Sequence, residues 1–131
     1  MSVAMESFRR VRHKGLADRF YARFLNADPE IARLFSQTDL QRQKDLLLHG
    51  IHMLLEYADG RLLGTLAMRR MAEMHHHIGV KVAMYDVWLD CLVVAVAELD
   101  PNYSDDVGRA WRASMEQGIA YMIECQGRVS T

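Results

Sequence analysis

Residues 15–35, GLADRFYARFLNADPEIARLF, carry the pattern that decides the fold. Over residues 15–27 the apolar side chains recur about one helical turn apart, which predicts a helix with one buried face. Pro29 follows Asp28, and a proline in the first turn after a capping aspartate is typical of a helix start. A second, short helix is therefore predicted over residues 29–35.

A longer helix is predicted to follow. Thr38 and Gln41 form a capping box, which indicates a helix start. This helix is expected to end near Ala58, because the Asp59-Gly60 pair supplies a residue that tolerates the left-handed conformation. The residues expected on its buried stripe are Leu40, Gln43, Leu47, Gly50, Ile51 and Leu54.

Three more helices are predicted, over residues 61–77, over residues 85–99 and from Ser104 onwards, with Ser104 as the cap of the last one. Pro101 after Asp100 repeats the Asp-Pro pattern of a helix start. In the first of these helices, the apolar residues expected on the core face are Leu63, Ala67, Met71, Met74 and Ile78. No segment alternates strictly between apolar and polar residues, so the predicted fold class is all-α.

Composition indicates one globular domain over residues 1–131. Half of the residues are hydrophobic, a quarter are charged and the formal net charge is -1. No apolar run is long enough for a membrane span, and the first residues lack a secretory pattern, so we expect a cytoplasmic protein without a membrane partner. Charges of both signs are interspersed, which argues against nucleic acid as a partner. Cys91 and Cys125 are expected to be reduced thiols.

Two polar residues fall on faces that the pattern assigns to the core. Gln43 lies on the apolar stripe of its helix, and Tyr21 stands beside the apolar Phe20 and Phe24. An unpaired buried amide costs about 1 to 3 kcal/mol, so Gln43 needs a hydrogen-bond partner. Both a core residue bonded to backbone or water and a residue that faces a ligand meet this requirement.

The run His75-His76-His77 raises the question of a metal site. Successive helical residues point about 100° apart, so at most one of the three faces inward. His75 lies one turn after Met71 and is the one expected on the apolar face. A neutral imidazole in an apolar cavity suits the axial position of a haem iron, and it equally suits a core histidine with a satisfied hydrogen bond.

Two other metal sites are weaker. His49, His52 and Glu56 have the residue types of a zinc cluster, but they are expected on the solvated polar face of their helix, away from Gln43. Glu73 and His76 form one E-x-x-H pair, the ligand pattern of di-iron bundles. Such bundles need a second pair, and the sequence has none.

The segments 20–24 (FYARF) and 27–35 (ADPEIARLF) resemble the second and third helices of bacterial single-domain globins and of the globin domain of flavohaemoglobins. Gln43 matches the distal glutamine of that family, His75 matches its proximal histidine, and Tyr85 follows as in the family. The resemblance covers nearly the whole chain. It implies a globin fold with a shortened first helix.

The resemblance also implies a cofactor and its contacts. Haem b would bind with His75 as the ligand of its iron, and Tyr21 and Gln43 would be distal hydrogen-bond donors to a diatomic gas. The other cofactor-binding residues that it implies are Phe35, Leu47, Val80, Tyr85 and Trp88.

Two departures from the family concern charged residues. Leu46 stands where relatives often place a basic residue that reaches a haem propionate, and Lys44 or Lys81 is the expected substitute. Tyr85 matches a tyrosine that supports the proximal histidine together with a glutamate, but Gln126 stands at the glutamate position, two residues after Glu124.

Three functions are compatible with the sequence. The leading one is a globin that reversibly binds oxygen, nitric oxide or carbon monoxide, for binding, sensing or transport. The alternative is a nitric oxide dioxygenase or a peroxidase-like haem enzyme; no G-x-G-x-x-G motif is present, so it would need an external reductase. The third is a haem-free helical module that binds a protein partner. A ligand-binding protein is favoured over an enzyme.

Overall fold

The structure is a computed structural model that describes the backbone of residues 2–77 and 80–130 and the side chains of residues 2–76 and 80–125. These residues form helices and no strand, which confirms the all-α class. None of the described helices is both long and apolar enough to cross a membrane. The helices are α1 (Val3–Val11), α2 (Leu16–Phe24), α3 (Pro29–Leu34), α4 (Leu40–Ala58), α5 (Leu62–His77), α6 (Val82–Leu99) and α7 (Asp105–Ser130).

Two of the predicted helix starts are confirmed. The Asp28 carboxylate accepts a hydrogen bond from the Glu30 backbone N–H at 2.8 Å, and Pro29 lies in the first turn of α3. The Ser104 hydroxyl oxygen accepts from the Val107 backbone N–H at 3.3 Å. In both places a short polar side chain satisfies a backbone donor that has no partner within the helix.

Three other starts differ from the prediction. The cap of α4 is Asp39 and not Thr38, because the Asp39 carboxylate accepts from the N–H groups two and three residues later, at 3.1 and 3.3 Å. Pro101 lies in a turn and starts no helix, since α7 begins at Asp105. α6 begins at Val82, one turn earlier than predicted.

The carboxylate of the second Asp-Pro pair, at Asp100, lies in a buried polar network, and it also accepts a hydrogen bond from the Asn102 backbone N–H at 2.9 Å. Asp100 caps the end of α6, and its buried carboxylate accepts hydrogen bonds from Arg10 at 2.8 and 2.9 Å and from the Ser7 hydroxyl at 2.6 Å. The Trp111 indole N–H donates to the same hydroxyl at 2.9 Å. The network joins α1, α6 and α7, so Asp100 is committed to tertiary contacts.

A close helix contact forms the corner between α4 and α5. Gly60, just after α4, has a φ of 77°, as expected for a left-handed residue at a helix end. A Cβ atom on Gly64 would lie 2.3 Å from the Tyr57 backbone nitrogen, so only glycine allows this approach. The corner therefore holds the end of α4 against the start of α5.

The Asp100 network predicts acid sensitivity. The hydrogen bonds from Arg10, despite the opposing effect of burial, lower the pKa of Asp100 from 3.8 to about 2. A carboxylate with a lowered pKa stabilises the fold above its unfolded-state pKa and loses this effect as pH falls to the folded-state value. Asp100→Asn is expected to reduce the free energy of unfolding at pH 7 by about 2 to 3 kcal/mol, measured by urea denaturation.

The difference between Asp100→Asn and the unchanged protein should narrow from about pH 4 towards pH 2, where the carboxyl group becomes protonated. Asp90→Asn is the matched control, because Asp90 forms an exposed ion pair with Arg112. Such pairs contribute about 0 to 1 kcal/mol. An equal loss of unfolding free energy in both variants would contradict the stabilising role of the buried network.

Candidate functional site

A cavity of about 820 Å³ lies between α4 and α5, and α2, α6 and α7 also contribute to its wall. The residues proposed from the sequence lie far apart along the chain, but the fold brings all of them to this one cavity. They are Tyr21, Phe35, Gln43, Leu47, His75, Val80, Tyr85 and Trp88.

A backbone contact fixes the tautomer of the His75 ring. It lies in the last turn of α5, and its Nδ1 is 2.7 Å from the Met71 carbonyl oxygen. A carbonyl oxygen only accepts hydrogen bonds, so Nδ1 carries the proton and donates it. In this tautomer the lone pair of the imidazole lies on Nε2, the atom that a metal would bind.

The neighbouring histidines are placed differently. His76 is half-buried and does not line the cavity. The side chain of His77 lies outside the described residues, as do Ile78 and Gly79. Among the described histidines of the run, His75 is thus the one at the cavity wall.

Tyr21 and Gln43 form a polar pair in the same cavity. Tyr21 is only 3% exposed, and its ring contacts Phe35 with a centroid distance of 5.8 Å. Burial raises the pKa of the Tyr21 hydroxyl above its ordinary value, and a hydrogen bond with the Gln43 side chain partly offsets this rise. The tyrosine therefore stays protonated at neutral pH, and it can act as a hydrogen-bond donor.

Aromatic and apolar side chains fix the walls around this pair. Phe35 packs edge-on against Phe24 at 6.0 Å, and Trp88 packs against Phe20 at 5.8 Å. Leu47, one turn after Gln43 on α4, is buried. These contacts hold the rings in place and make the cavity largely apolar.

The buried hydroxyl of Tyr85 has no hydrogen-bond partner in the part of the chain that the structure describes. Its ring lies 6.2 Å from that of His75, and its oxygen has no hydrogen bond to any described residue. Burial raises the pKa of Tyr85 to about 12. The side chain of Gln126, at the position of the family's glutamate, lies outside the described residues, and Glu124 is exposed.

The basic residues near the cavity are not the expected ones. Lys44 forms an ion pair with Asp18 at 2.7 Å, and Lys81 forms one with Glu30 at 2.9 Å, so both expected substitutes already have carboxylate partners. The cations that line the cavity are instead Arg42 and Arg70. Sequence reasoning missed both.

His49 is exposed, as expected for the polar face of its helix, but the structure also places it at the edge of the cavity. His49 lines the cavity, whereas His52 is bonded to Glu56 at 3.1 Å and packs against Phe8. Because a helix face is about 100° wide, residues on the edge of the polar face can also border a neighbouring cavity. No group of three potential metal ligands occurs among the described residues, which leaves the zinc and di-iron alternatives without support.

The expected core face of α5 is also partly wrong. Leu63 is 64% exposed and Met74 is 58% exposed, and both line the cavity together with Leu66. The fully buried positions of α5 include Met68 and Ala72. The apolar residues of α5 occupy two stripes, and this double stripe was the available signal that the helix has a second apolar surface to cover.

These features fit a haem group. The wall provides one imidazole with a free lone pair, which is the axial ligand that haem iron takes in globins. The apolar wall and the exposed apolar side chains at the rim suit a flat apolar ring. Nothing in the donor set conflicts with haem.

Comparisons with known proteins agree with this fit. A family model described as Globin matches residues 18–122. A flavohemoprotein of Halalkalibacterium halodurans is 29% identical over 106 residues, which cover 79% of this chain and 26% of that protein. A flavohemoprotein of Bacillus cereus is 24% identical over 98 residues, or 73% of this chain and 24% of that protein. The chain thus spans about a quarter of the length of these relatives.

A solved structure gives the same result. A protein from Pseudomonas aeruginosa PAO1, described as structurally highly homologous to a human hemoglobin, has a TM-score of 0.87 and 36% sequence identity to this chain, with 92% of each chain covered. The fold, the cavity and the family match therefore agree: the chain belongs to the globin family and is a haem-binding globin.

Proposed function

We propose that this chain reversibly binds oxygen and other diatomic gases, nitric oxide and carbon monoxide among them, at a haem b held by His75. The observation that carries the proposal is that a candidate metal ligand and candidate hydrogen-bond donors line the same cavity. An imidazole whose Nδ1 donates to a backbone carbonyl lines it, and so do a buried tyrosine and the glutamine that lowers the pKa of its hydroxyl.

Each residue has a distinct part in this proposal. The haem supplies a ferrous iron that binds a diatomic gas. His75 would hold the iron through Nε2, and the Met71 carbonyl keeps its ring oriented. Tyr21 and Gln43 would donate hydrogen bonds to an oxygen molecule bound in the cavity. Phe35, Leu47, Val80 and Trp88 keep water away from the gas and the ring.

Replacement of His75 tests the iron ligand. His75→Ala is expected to abolish stoichiometric haem binding, because no other described histidine of the run lines the cavity. His76→Ala is the matched control and should keep a normal visible spectrum, and the same is expected of His77→Ala. The measurement is the haem-to-protein ratio together with the ferrous and carbon monoxide spectra. A normal ferrous spectrum in His75→Ala would contradict the assignment.

Replacement of Tyr21 tests the distal donor. A hydrogen bond to a charged acceptor contributes roughly 1.5 to 3 kcal/mol, so Tyr21→Phe is expected to speed oxygen release by about one to two orders of magnitude. Stopped-flow measurement gives the rate. Gln43→Leu should act in the same direction, and the double variant should be non-additive because the two side chains interact in one cavity.

Carbon monoxide provides the control for this experiment. Its bound form carries less charge than bound oxygen, so Tyr21→Phe should change its release far less. Equal acceleration for both gases would point to a loosened pocket, and no change for oxygen would mean that Tyr21 does not contact the ligand.

The likeness to flavohemoproteins favours a second function, nitric oxide dioxygenation with a separate reductase. This reaction joins one nitric oxide and one oxygen molecule into nitrate and consumes one electron, which the reductase would supply from its own donor. The discriminating experiment mixes nitric oxide with the reduced, oxygen-saturated protein. Repeated turnover on addition of a reductase supports the enzyme, and a single turnover followed by a stable ferric protein supports the binding function.

A further inference from the structure

Arg42 and Arg70 are two exposed basic residues of the cavity wall that form no ion pair with another described residue. Arg42 lies on α4 and Arg70 on α5, and both side chains line the cavity. Neither has a carboxylate partner among the described residues, whereas Lys44 and Lys81 are each held by one. Two cations, one on α4 and one on α5, therefore border the same cavity.

Each arginine has at least one exposed apolar neighbour one turn away on its helix. On α4, Leu46 follows Arg42 by one turn and is 48% exposed. On α5, Leu66 and Met74 lie one turn before and one turn after Arg70 and are 64% and 58% exposed. A rim of this kind suits a ligand with a large apolar body and an acidic edge, because the leucines and methionine cover the body while the guanidinium groups meet the acid.

We propose that Arg42 and Arg70 bind the two carboxylates of haem b, one from each side of the cavity. The inference rests on the haem binding described above. Haem b has an apolar ring with two carboxylates on one edge, and a guanidinium group pairs with a carboxylate through two parallel hydrogen bonds. Arg42 and Arg70 thus take the role that the sequence analysis expected of Lys44 or Lys81.

The proposal is tested by the rate of haem loss. The ferric holoproteins of the unchanged chain, Arg42→Gln, Arg70→Gln and the double variant are mixed with excess apomyoglobin, and haem transfer is followed by absorbance. Each single variant should lose haem about two- to fivefold faster, as expected for a partly exposed ion pair, and the double variant about four- to 25-fold faster. Arg69→Gln is the matched control, because Arg69 is an exposed neighbour on α5 that does not line the cavity.

A second cofactor separates charge from pocket shape. The same proteins are loaded with the dimethyl ester of haem b, which has the same ring without free carboxylates. With the ester, the variants and the unchanged chain should lose the cofactor at equal rates. Faster loss from the variants with both cofactors, or unchanged loss with haem b, overturns the assignment of Arg42 and Arg70. Failure of the unchanged chain to take up haem would instead overturn the haem-binding function itself.

Discussion

The hydrogen bond from His75 Nδ1 to the Met71 carbonyl is the interaction on which the site depends. It lies within one turn of α5, so the helix itself fixes which nitrogen carries the proton. The Nε2 lone pair is then available without help from a distant residue. This arrangement leaves Tyr85 next to the imidazole with no described hydrogen bond, and its hydroxyl is protonated throughout the neutral range.

The corner between α4 and α5 and the buried Asp100 network hold the helices around the site in place. Gly64 lets α5 approach the end of α4 at Tyr57, and Asp100 connects the end of α6 to α1 and, through Ser7, to α7. Both are contacts of polar or backbone atoms that larger or apolar side chains could not replace. They leave the middle of α4 and α5 free to present apolar surface to a cofactor.

The uncharged polar residues and the cations of the cavity differ in their exposure to solvent. The polar groups that can contact a gas, Tyr21 and Gln43, line the cavity together. The cations, Arg42 and Arg70, are exposed residues of the cavity wall. Charged groups lose least solvation where water still reaches them. A cofactor with its carboxylates at the exposed edge would therefore suit the two arginines and leave Tyr21 and Gln43 to the gas.

The sequence by itself determined the features that depend on local chemistry. The Asp28-Pro29 and Ser104 helix starts and the end of α4 at Asp59-Gly60 follow from backbone groups within a few residues. The angular spacing of helical residues was enough to select His75 from its run, and the family pattern named eight residues that all line one cavity.

Only the tertiary structure decided the features that depend on contacts between helices. Ser7 and Arg10 of α1 bind the Asp100 carboxylate, and Lys44 and Lys81 form ion pairs with Asp18 and Glu30. Whether an apolar residue of α5 faces the core or the cavity depends on which helix packs against it. Helical spacing gives the faces of a helix but not their neighbours, and a side chain's partner in another helix is a property of the packed fold.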